Sequence, residues 1–246
     1  MRKTILKYFF IIIVSLFSCQ KEHMCDCFKG TGETITDFRQ LTPFDKISIE
    51  NNINLYITED TVFSLTVEAG SKLISSVTSK VNDNCLYLRN ENRCNWARSF
   101  KNKVNVYLRC GRLQDIKCDH SSGNVYSMDT LHSDYLQIDS WDASGVVDIT
   151  IDTKTSWFNL HTGAGDLAIS GKSDECYLYS AGNGKADLLN LTNKNLYMNN
   201  KSTNNCFVNA VHILDVKIGY VGDVYYKGNP DTILTNITGS GRLIKL

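Results

Sequence analysis

HTGAGDLAIS, residues 161–170, contains a glycine, Gly165, that opens a short strand-like run with Leu167 two positions later. The same arrangement recurs along the second half of the chain, and we call the turn residue that opens each run the marker. The markers are Gly123, Gly145, Gly165, Gly184, Asn205, Gly222 and Gly241. They are separated by 17 to 22 residues, and a period near twenty predicts a stack of similar supersecondary units.

An apolar residue stands two positions after every marker. These residues are Val125, Val147, Leu167, Ala186, Phe207, Val224 and Leu243. A repeat of this length suits one coil of a parallel β-helix, in which like side chains of successive coils stack into interior columns. The column matters for stability because each buried Val or Leu side chain contributes about 1.5–3 kcal/mol.

The sequence therefore predicts an all-β protein, a right-handed parallel β-helix with roughly twenty-residue coils. An up-and-down barrel is the main alternative, although a barrel needs no fixed twenty-residue turn signature. Glycine is expected at the markers because a Cβ would clash there or because φ is positive. Asn205 is the natural substitute for glycine in the gap between Gly184 and Gly222.

Period-two alternation of apolar residues begins at Ile47 and continues to the C-terminus, with Asn, Asp, Gly and Ser clusters between the runs. This pattern is typical of short strands joined by turns. We expect residues 41–246 to form a single β-helical domain. Residues 20–40 are predicted to be a tether with a lead-in strand, and residues 90–103 a polar, basic loop.

Residues 1–18 have the composition of an export signal, because basic side chains precede an apolar run that is too short to span a membrane. The run ends in LFSC, residues 16–19, which resembles a bacterial lipoprotein box; an ordinary signal peptide with a chance cysteine is the alternative. We expect cleavage before Cys19, lipidation of Cys19, and a tether over residues 19–40. QKE, residues 20–22, resembles a surface-export signal. The predicted location is the outer membrane, with the protein lipid-anchored and facing the periplasm or the cell surface.

Charge excludes one class of partner. Removal of residues 1–18 takes away Arg2, Lys3 and Lys7 and no acid, which leaves 23 basic and 26 acidic residues. A phosphate-binding face needs a basic excess, so no nucleic-acid partner is expected.

Eight cysteines remain besides Cys19, and export permits disulfides. Cys85 with Cys94, and Cys110 with Cys118, are the pairs to test first, because each pair could lie on neighbouring strands. HMCDC, residues 23–27, offers metal ligands, but it lies in the tether, where nothing would hold a coordination geometry. No metal site and no cofactor is therefore predicted.

The acids near the turns do not form a catalytic pair. Asp148 and Asp187 share a phase but lie two coils apart, which places them about 10 Å from each other. Glycosidases need carboxyl groups separated by about 5–5.5 Å or roughly 6.5–9.5 Å. No Gly-x-Ser-x-Gly elbow occurs in the sequence. We therefore predict no catalytic residues and a protein that is not an enzyme.

Several stretches together resemble one known family. They are FDKISIENNINLYI (44–57), FSLTVEAGSKLI (63–74), LQDIKCDHSSGNV (113–125), VGDVYYKGNP (221–230) and TGSGRLIKL (238–246). In their order and spacing they are similar to the "putative auto-transporter adhesin, head GIN domain" family, and the resemblance extends over residues 41–246. It implies a secreted or lipid-anchored protein of the kind common in Bacteroidetes, with a right-handed β-helix and an adhesive role. The family offers no catalytic residues to transfer to this sequence.

The favoured function is a non-enzymatic binding or adhesion module with a glycan or protein ligand. The candidate contact residues are Trp141, Trp157, Tyr225 and Tyr226, whose aromatic rings could meet sugars. A polysaccharide lyase or hydrolase, or a purely structural envelope protein, remains as an alternative, and a homo-oligomer could form through the sheet faces or edges. Thr61, Thr130 and Thr232 stand in Asp-Thr-aliphatic tripeptides that resemble O-glycosylation acceptors and are expected at turns.

Overall fold

The computed structural model describes residues 30–92 and 104–246, and nearly all of its regular structure is strand. The strands are β1 (Thr34–Gln40), β2 (Lys46–Glu50), β3 (Asn54–Glu59), β4 (Ser64–Gly70), β5 (Val77–Asn82), β6 (Cys85–Asn90), β7 (Asn105–Cys110), β8 (Asp115–Asp119), β9 (Val125–Trp141), β10 (Val146–Leu160), β11 (Asp166–Ser180), β12 (Ala186–Asn200), β13 (Cys206–Ile218), β14 (Val224–Lys227), β15 (Thr232–Ile237) and β16 (Leu243–Lys245). One 3₁₀ turn spans Ile74–Ser76. Among the residues that the structure describes, no helix has the length and apolar character to cross a membrane.

The long strands β9 to β13 each contribute to two faces of a solenoid. The first half of each strand belongs to face A, which has the order β1-β4-β7-β3-β9-β10-β11-β12-β13-β14-β16. The second half belongs to face B, in which β5, β6, β2 and β8 precede the long strands and β15 follows them. Neighbouring long strands pair in parallel, and Val147 faces Leu167 twenty residues later. The predicted parallel β-helix with coils of about twenty residues is confirmed, and the barrel alternative is wrong.

The apolar residues two positions after the markers form an interior column, as predicted, except that Phe207 is not part of it. Its members in coil order are Leu55, Val125, Val147, Leu167, Ala186, Cys206, Val224 and Leu243. Cys206 occupies the position that we assigned to Phe207, which lies on the outer face and stacks on Tyr225. The marker of this coil is therefore Asn204 rather than Asn205. Asn204 Nδ2 donates a hydrogen bond to the Asn183 carbonyl of the preceding coil at 3.2 Å.

Glycine is required at the markers by the close approach of the coils. A Cβ on Gly145 would lie 1.8 Å from the carbonyl oxygen of Gly123, and a Cβ on Gly184 would lie 1.8 Å from that of Gly165. Neither Gly145 nor Gly184 has a positive φ. Of the two reasons expected from the sequence, steric clash with the neighbouring backbone applies here.

The two ends of the solenoid differ. At the N-terminal end, β4 pairs antiparallel with both β1 and β7, and β5 pairs antiparallel with β6, so turned-back strands close both faces. The lead-in strand expected before residue 41 is β1. At the other end, β15 pairs with β13 and β16 pairs with β14, each on one side. All six residues of β15 are exposed.

No disulfide joins the cysteines in the described part of the chain. Cys110 and Cys118 are both buried free thiols, so their predicted pairing is wrong. Burial raises the pKa of the Cys110 thiol, and that of Cys118, to about 12, which keeps both unreactive. The pairing of Cys85 with Cys94 stays a prediction, because Cys94 lies outside the described residues. The export signal, Cys19 and the cysteines of residues 23–27 lie outside them too.

Candidate functional site: an aromatic groove on face B

The outward side chains of face B align into columns along the solenoid axis, because the parallel pairing repeats with the same register in each coil. The first column contains Asp115, Gln137, Trp157, Tyr177, Tyr197 and Asp215. The second column contains Lys117, Asp139, Asn159, Tyr179, Asn199 and Lys217. Aromatic rings and polar side chains therefore run side by side along this face.

Three rings of the first column form a continuous stack. The ring centroids of Trp157 and Tyr177 lie 4.1 Å apart with an interplanar angle of 10°, and those of Tyr177 and Tyr197 lie 5.1 Å apart at 17°. Both faces of Tyr177 are therefore covered by neighbouring rings. At the two ends of the stack the neighbours are not aromatic: Gln137 follows Trp157 and Asp215 follows Tyr197. We call the ring faces on these sides, which no described aromatic ring covers, the free faces of Trp157 and Tyr197.

A groove follows the stack. A first cavity of about 370 Å³ lies between the rings of the first column and the second column, and extends to Asp215 and Lys217. A second cavity of about 570 Å³ begins at the free face of Trp157, and we call it the Trp157 cavity. Its walls include Trp141 and Tyr135. Together the two cavities form a shallow channel along the solenoid axis, which we call the face B groove.

A hydrogen-bonded network forms the floor of the Trp157 cavity. The Tyr135 hydroxyl donates to Gln137 Oε1 at 2.6 Å, and the Gln137 amide donates to Asp139 Oδ2. The other oxygen of Asp139 lies 2.8 Å from His161 Nε2. The His161 ring in turn stacks on Trp141, with centroids 3.7 Å apart and an interplanar angle of 11°. These contacts fix the side chains in place before any ligand is bound.

Asp115 is the exception in this network. Its carboxyl group is half-buried, and no side chain within residues 30–92 and 104–246 donates a hydrogen bond to it. Burial raises the pKa of the Asp115 carboxyl, and the negative charges of Asp139 and Asp45 act in the same direction. Lys46 and Lys117 oppose these effects. The cavity therefore contains one carboxylate without a fixed partner.

Two of the four predicted contact residues lie in the groove. Trp141 and Trp157 are 40% and 37% exposed, and both border the Trp157 cavity. Tyr225 lies on face A, where it stacks on Phe207 with ring centroids 5.1 Å apart. Tyr226 also lies outside the groove, where it is half-buried against the hydrophobic core.

Most residues of the groove were not predicted from the sequence. The unrecognised members are Tyr135, Tyr177, Tyr179, Tyr197, Asp115 and Asp139. A signal was present, because Trp157, Tyr177 and Tyr197 follow each other at intervals of twenty residues. The same interval separates Trp141 from His161.

The other candidate residues lie elsewhere. Asp148 and Asp187 both face Ala168, on opposite sides, so they lie two coils apart as the sequence predicted. Within the described residues, no group of three or more His, Cys, Asp or Glu side chains could hold a metal ion. Thr61 is exposed at a turn, whereas Thr130 is a half-buried residue inside β9 and Thr232 begins β15. The turn positions expected for Thr130 and Thr232 are therefore wrong.

Several solved structures share this architecture. A putative adhesin from Bacteroides fragilis superposes with a TM-score of 0.80 at 23% identity, over 87% of this chain and 97% of that one. A putative lipid binding protein from Parabacteroides distasonis gives a TM-score of 0.67 at 17% identity, over 88% and 98%. A putative adhesin from Parabacteroides merdae gives 0.62 at 15% identity, over 88% and 98%. At these identities the similarity shows the fold.

No curated protein matches the chain significantly. The model of one protein family matches residues 43–230, which is most of the β-helix. The chain belongs to the family described as putative auto-transporter adhesin, head GIN domain.

Proposed function

We propose that the protein is a non-enzymatic lipoprotein of the cell envelope that binds glycans through the face B groove. The observation that carries this proposal is the stack from Trp157 to Tyr197, which has a free ring face at each end and a column of polar side chains beside it. In this proposal Cys19 carries the lipid and attaches the protein to the outer membrane, and the groove faces the periplasm or the cell surface.

The chemistry of the groove suits a sugar ring. A pyranose has an apolar face of C–H groups, which packs against an aromatic ring, and hydroxyl groups around its edge. Asn159 and Gln137 border the free face of Trp157 and can exchange hydrogen bonds with such hydroxyls. An apolar cavity with a few convergent polar groups is the usual form of a small-ligand site.

The stack also reduces the entropy that binding would cost. Ring contacts already restrict Trp157 and Tyr177, and the contact with His161 restricts Trp141. Side chains that are ordered before binding lose little rotamer freedom when the ligand arrives. A preformed groove of this kind supports a binding role.

The names of similar structures are consistent with this class of function. Two of those described above are named as putative adhesins and one as a putative lipid binding protein. The second column of the groove carries Asn159 and Asn199, with Lys117 and Asp139 at one end and Lys217 at the other. This polarity favours a ligand rich in hydroxyl groups over an acyl chain.

Glycan binding can be tested with the purified protein on a glycan array, followed by calorimetric titration of the strongest ligand. We expect Trp157→Ala to weaken binding at least about tenfold, because it removes the free ring face on which a sugar would stack. Tyr225→Ala is the matched control, since it removes an aromatic ring from face A and should leave affinity unchanged. If the protein bound no glycan on the array, the proposal would be contradicted. Release of new reducing ends from a polysaccharide would favour the enzyme alternative.

Membrane attachment can be tested separately by metabolic labelling with a fatty acid. Wild-type protein should incorporate the label and fractionate with the outer membrane, and Cys19→Ser should do neither. Label retained in the Cys19→Ser variant would place the lipid on another residue.

A further inference from the structure

The Trp157 cavity differs from the rest of the face B groove in its charge. At the far end of the groove, Asp215 is accompanied by Lys217 in the cavity lining. The Trp157 cavity is lined by two carboxylates, Asp115 and Asp139, and by one lysine, Lys117, so it has one carboxylate in excess. Three aromatic rings and the His161 imidazole line the same space. Carboxylates and aromatic rings that line one cavity are typical of sites that bind a positively charged group.

We propose that the Trp157 cavity binds a glycan unit that bears a protonated amine. The inference rests on the proposed glycan-binding function and names the ligand class at one part of the same groove. The amine would lie beside Gln137, between the Asp115 carboxylate and the ring of Tyr135. Neighbouring sugar units would reach the free face of Trp157 and continue along the stack.

Among the described residues, no lysine forms an ion pair or a hydrogen bond with Asp115. Lys46 faces Asp115 from β2, and its charge only opposes the rise in the pKa of Asp115. Lys117 forms an ion pair with Asp119, with Nζ and Oδ2 2.8 Å apart. His161 contacts Asp139 instead. Asp139 uses both of its oxygens, one for His161 and one for Gln137. Asp115 is left as the acceptor that a ligand ammonium would meet.

The aromatic walls favour the same ligand. An ammonium group over the face of Trp or Tyr is attracted by the ring quadrupole, and the attraction is strongest where water is displaced. The free face of Trp157 and the ring of Tyr135 both border the cavity that contains Asp115. A cation in this position would be attracted by both the ring faces and the carboxylate. A neutral sugar would gain neither of these electrostatic attractions.

The dimensions fit a short oligosaccharide. Trp141 and Trp157 stand on neighbouring coils, in columns that are four residues apart along the strand direction. At about 3.4 Å per residue, the two columns lie roughly 13 Å apart, with Asp139 and Asn159 between them on the floor of the cavity. The volume of about 570 Å³ agrees with this size.

The test compares two ligands that differ in the amine alone. Calorimetric titration of the purified full chain with glucosamine oligosaccharides and with N-acetylglucosamine oligosaccharides of equal length should give at least tenfold tighter binding of the amine form. Asp115→Asn should abolish that preference by weakening the binding of the amine form. Asp148→Asn removes an exposed carboxylate from face A, outside the groove, and is the matched control that should preserve the preference.

The outcomes separate the two proposals. Equal affinity for the two ligands, lost in Trp157→Ala, would overturn the amine assignment and leave glycan binding intact. A preference that survives in Asp115→Asn would overturn the assignment as well. Binding of an oligolysine peptide as tight as that of the amino-oligosaccharide would show a general cation site and overturn the glycan assignment. If neither oligosaccharide bound and the glycan array were also silent, both proposals would fail.

Discussion

Gly184 illustrates how a single absent methyl group controls the spacing of the coils. Its position is fixed by the Gly165 carbonyl oxygen, which would lie 1.8 Å from a Cβ. Both atoms of this clash belong to, or are bonded directly to, main chain, so neither can move away without displacing a coil. At this scale, a residue is selected for the space that it leaves to the neighbouring backbone.

Gly184→Ala should therefore lower the free energy of unfolding by about 3 kcal/mol or more, because overpacking against fixed backbone forces the coils apart. Gly219→Ala is the control, since its Cβ would find its nearest neighbour, Lys201 Cγ, at 3.5 Å. Urea denaturation of both variants measures the difference. Equal stability of the two variants would contradict the steric explanation.

Asp115 gives a prediction whose sign depends on pH. Its raised pKa means that the folded state favours the protonated carboxyl group. Its contribution to stability is complete below the unfolded pKa and is lost as the pH rises through the folded pKa. Asp115→Asn should therefore raise Tm at about pH 7, with a gain that shrinks toward about pH 3. A lower Tm at neutral pH would show that the ionised carboxylate has a stabilising partner.

The sequence located the marker glycines correctly, because steric exclusion acts at the residue itself. It misplaced the marker of one coil by one position, since both Asn204 and Asn205 are acceptable turn residues. Cys206 pairs with Ala186 on one side and with Val224 on the other, so Cys206 is the interior residue of this coil and Asn204 is its marker. This pairing depends on neighbouring coils, and a local pattern of Asn and apolar residues does not contain it.

At the scale of the strand, adjacent residues of β10 have opposite roles. Phe158 points inward and is fully buried, whereas Trp157 points outward into the groove. This alternation is the ordinary consequence of strand geometry. It separates the residues that stabilise the solenoid from those that can meet a ligand.

Phe158→Ala should lower the free energy of unfolding by about 3–5 kcal/mol, because it leaves a cavity in the middle of an interior column. Trp157→Ala should cost less than about 1.5 kcal/mol, since it removes a stacking contact at the surface. Thermal and denaturant unfolding of the two variants provides the comparison. A similar loss in both variants would mean that the groove is structural, and the binding defect expected for Trp157→Ala would then need another explanation.

The alternation of strands was evident in the sequence, but the groove was only partly so. Apolar residues at period two identify the inner face by burial alone. Side chains on the outer face need not be apolar. Trp157, Tyr177 and Tyr197 could therefore be grouped only through their common spacing of twenty residues. Asp115 could not be recognised, because β8 joins the long strands through a register that only the folded structure reveals.

For the whole molecule, the main feature is the difference between the two ends. The N-terminal end consists of antiparallel strands with β1 and β5 at its edges, while the C-terminal end consists of β15 and β16, which continue the parallel pairing. Ile233 and Leu234 are 41% and 52% exposed, although Ile233 continues an interior column from the fully buried Leu214. Stability should therefore decrease toward the C-terminal coil, because each coil gains support from its neighbours.

Hydrogen exchange measures this gradient directly. Amides of the four edge strands, β1, β5, β15 and β16, should exchange fast, with those of the fully exposed β15 fastest. Amides of β11, which lies between two complete coils, should exchange slowest. The antiparallel strand β4 should be protected nearly as well as β11. Uniform protection from β4 to β16 would show that the C-terminal end is covered in solution, as in a homo-oligomer formed end to end.

The shared corner at the markers has a consequence for how such a protein changes over generations. Every coil from Gly123 onward enters and leaves at the same corner, and an inner coil meets only the coil on either side of it. A duplication of one unit, for example residues 165–183, would add a coil without disturbing any existing interface. Unequal recombination can thus lengthen the molecule in whole steps, and each step carries another rung of outward side chains. Reach and ligand length would then diverge between lineages through copy number, while single substitutions adjust the chemistry of each rung.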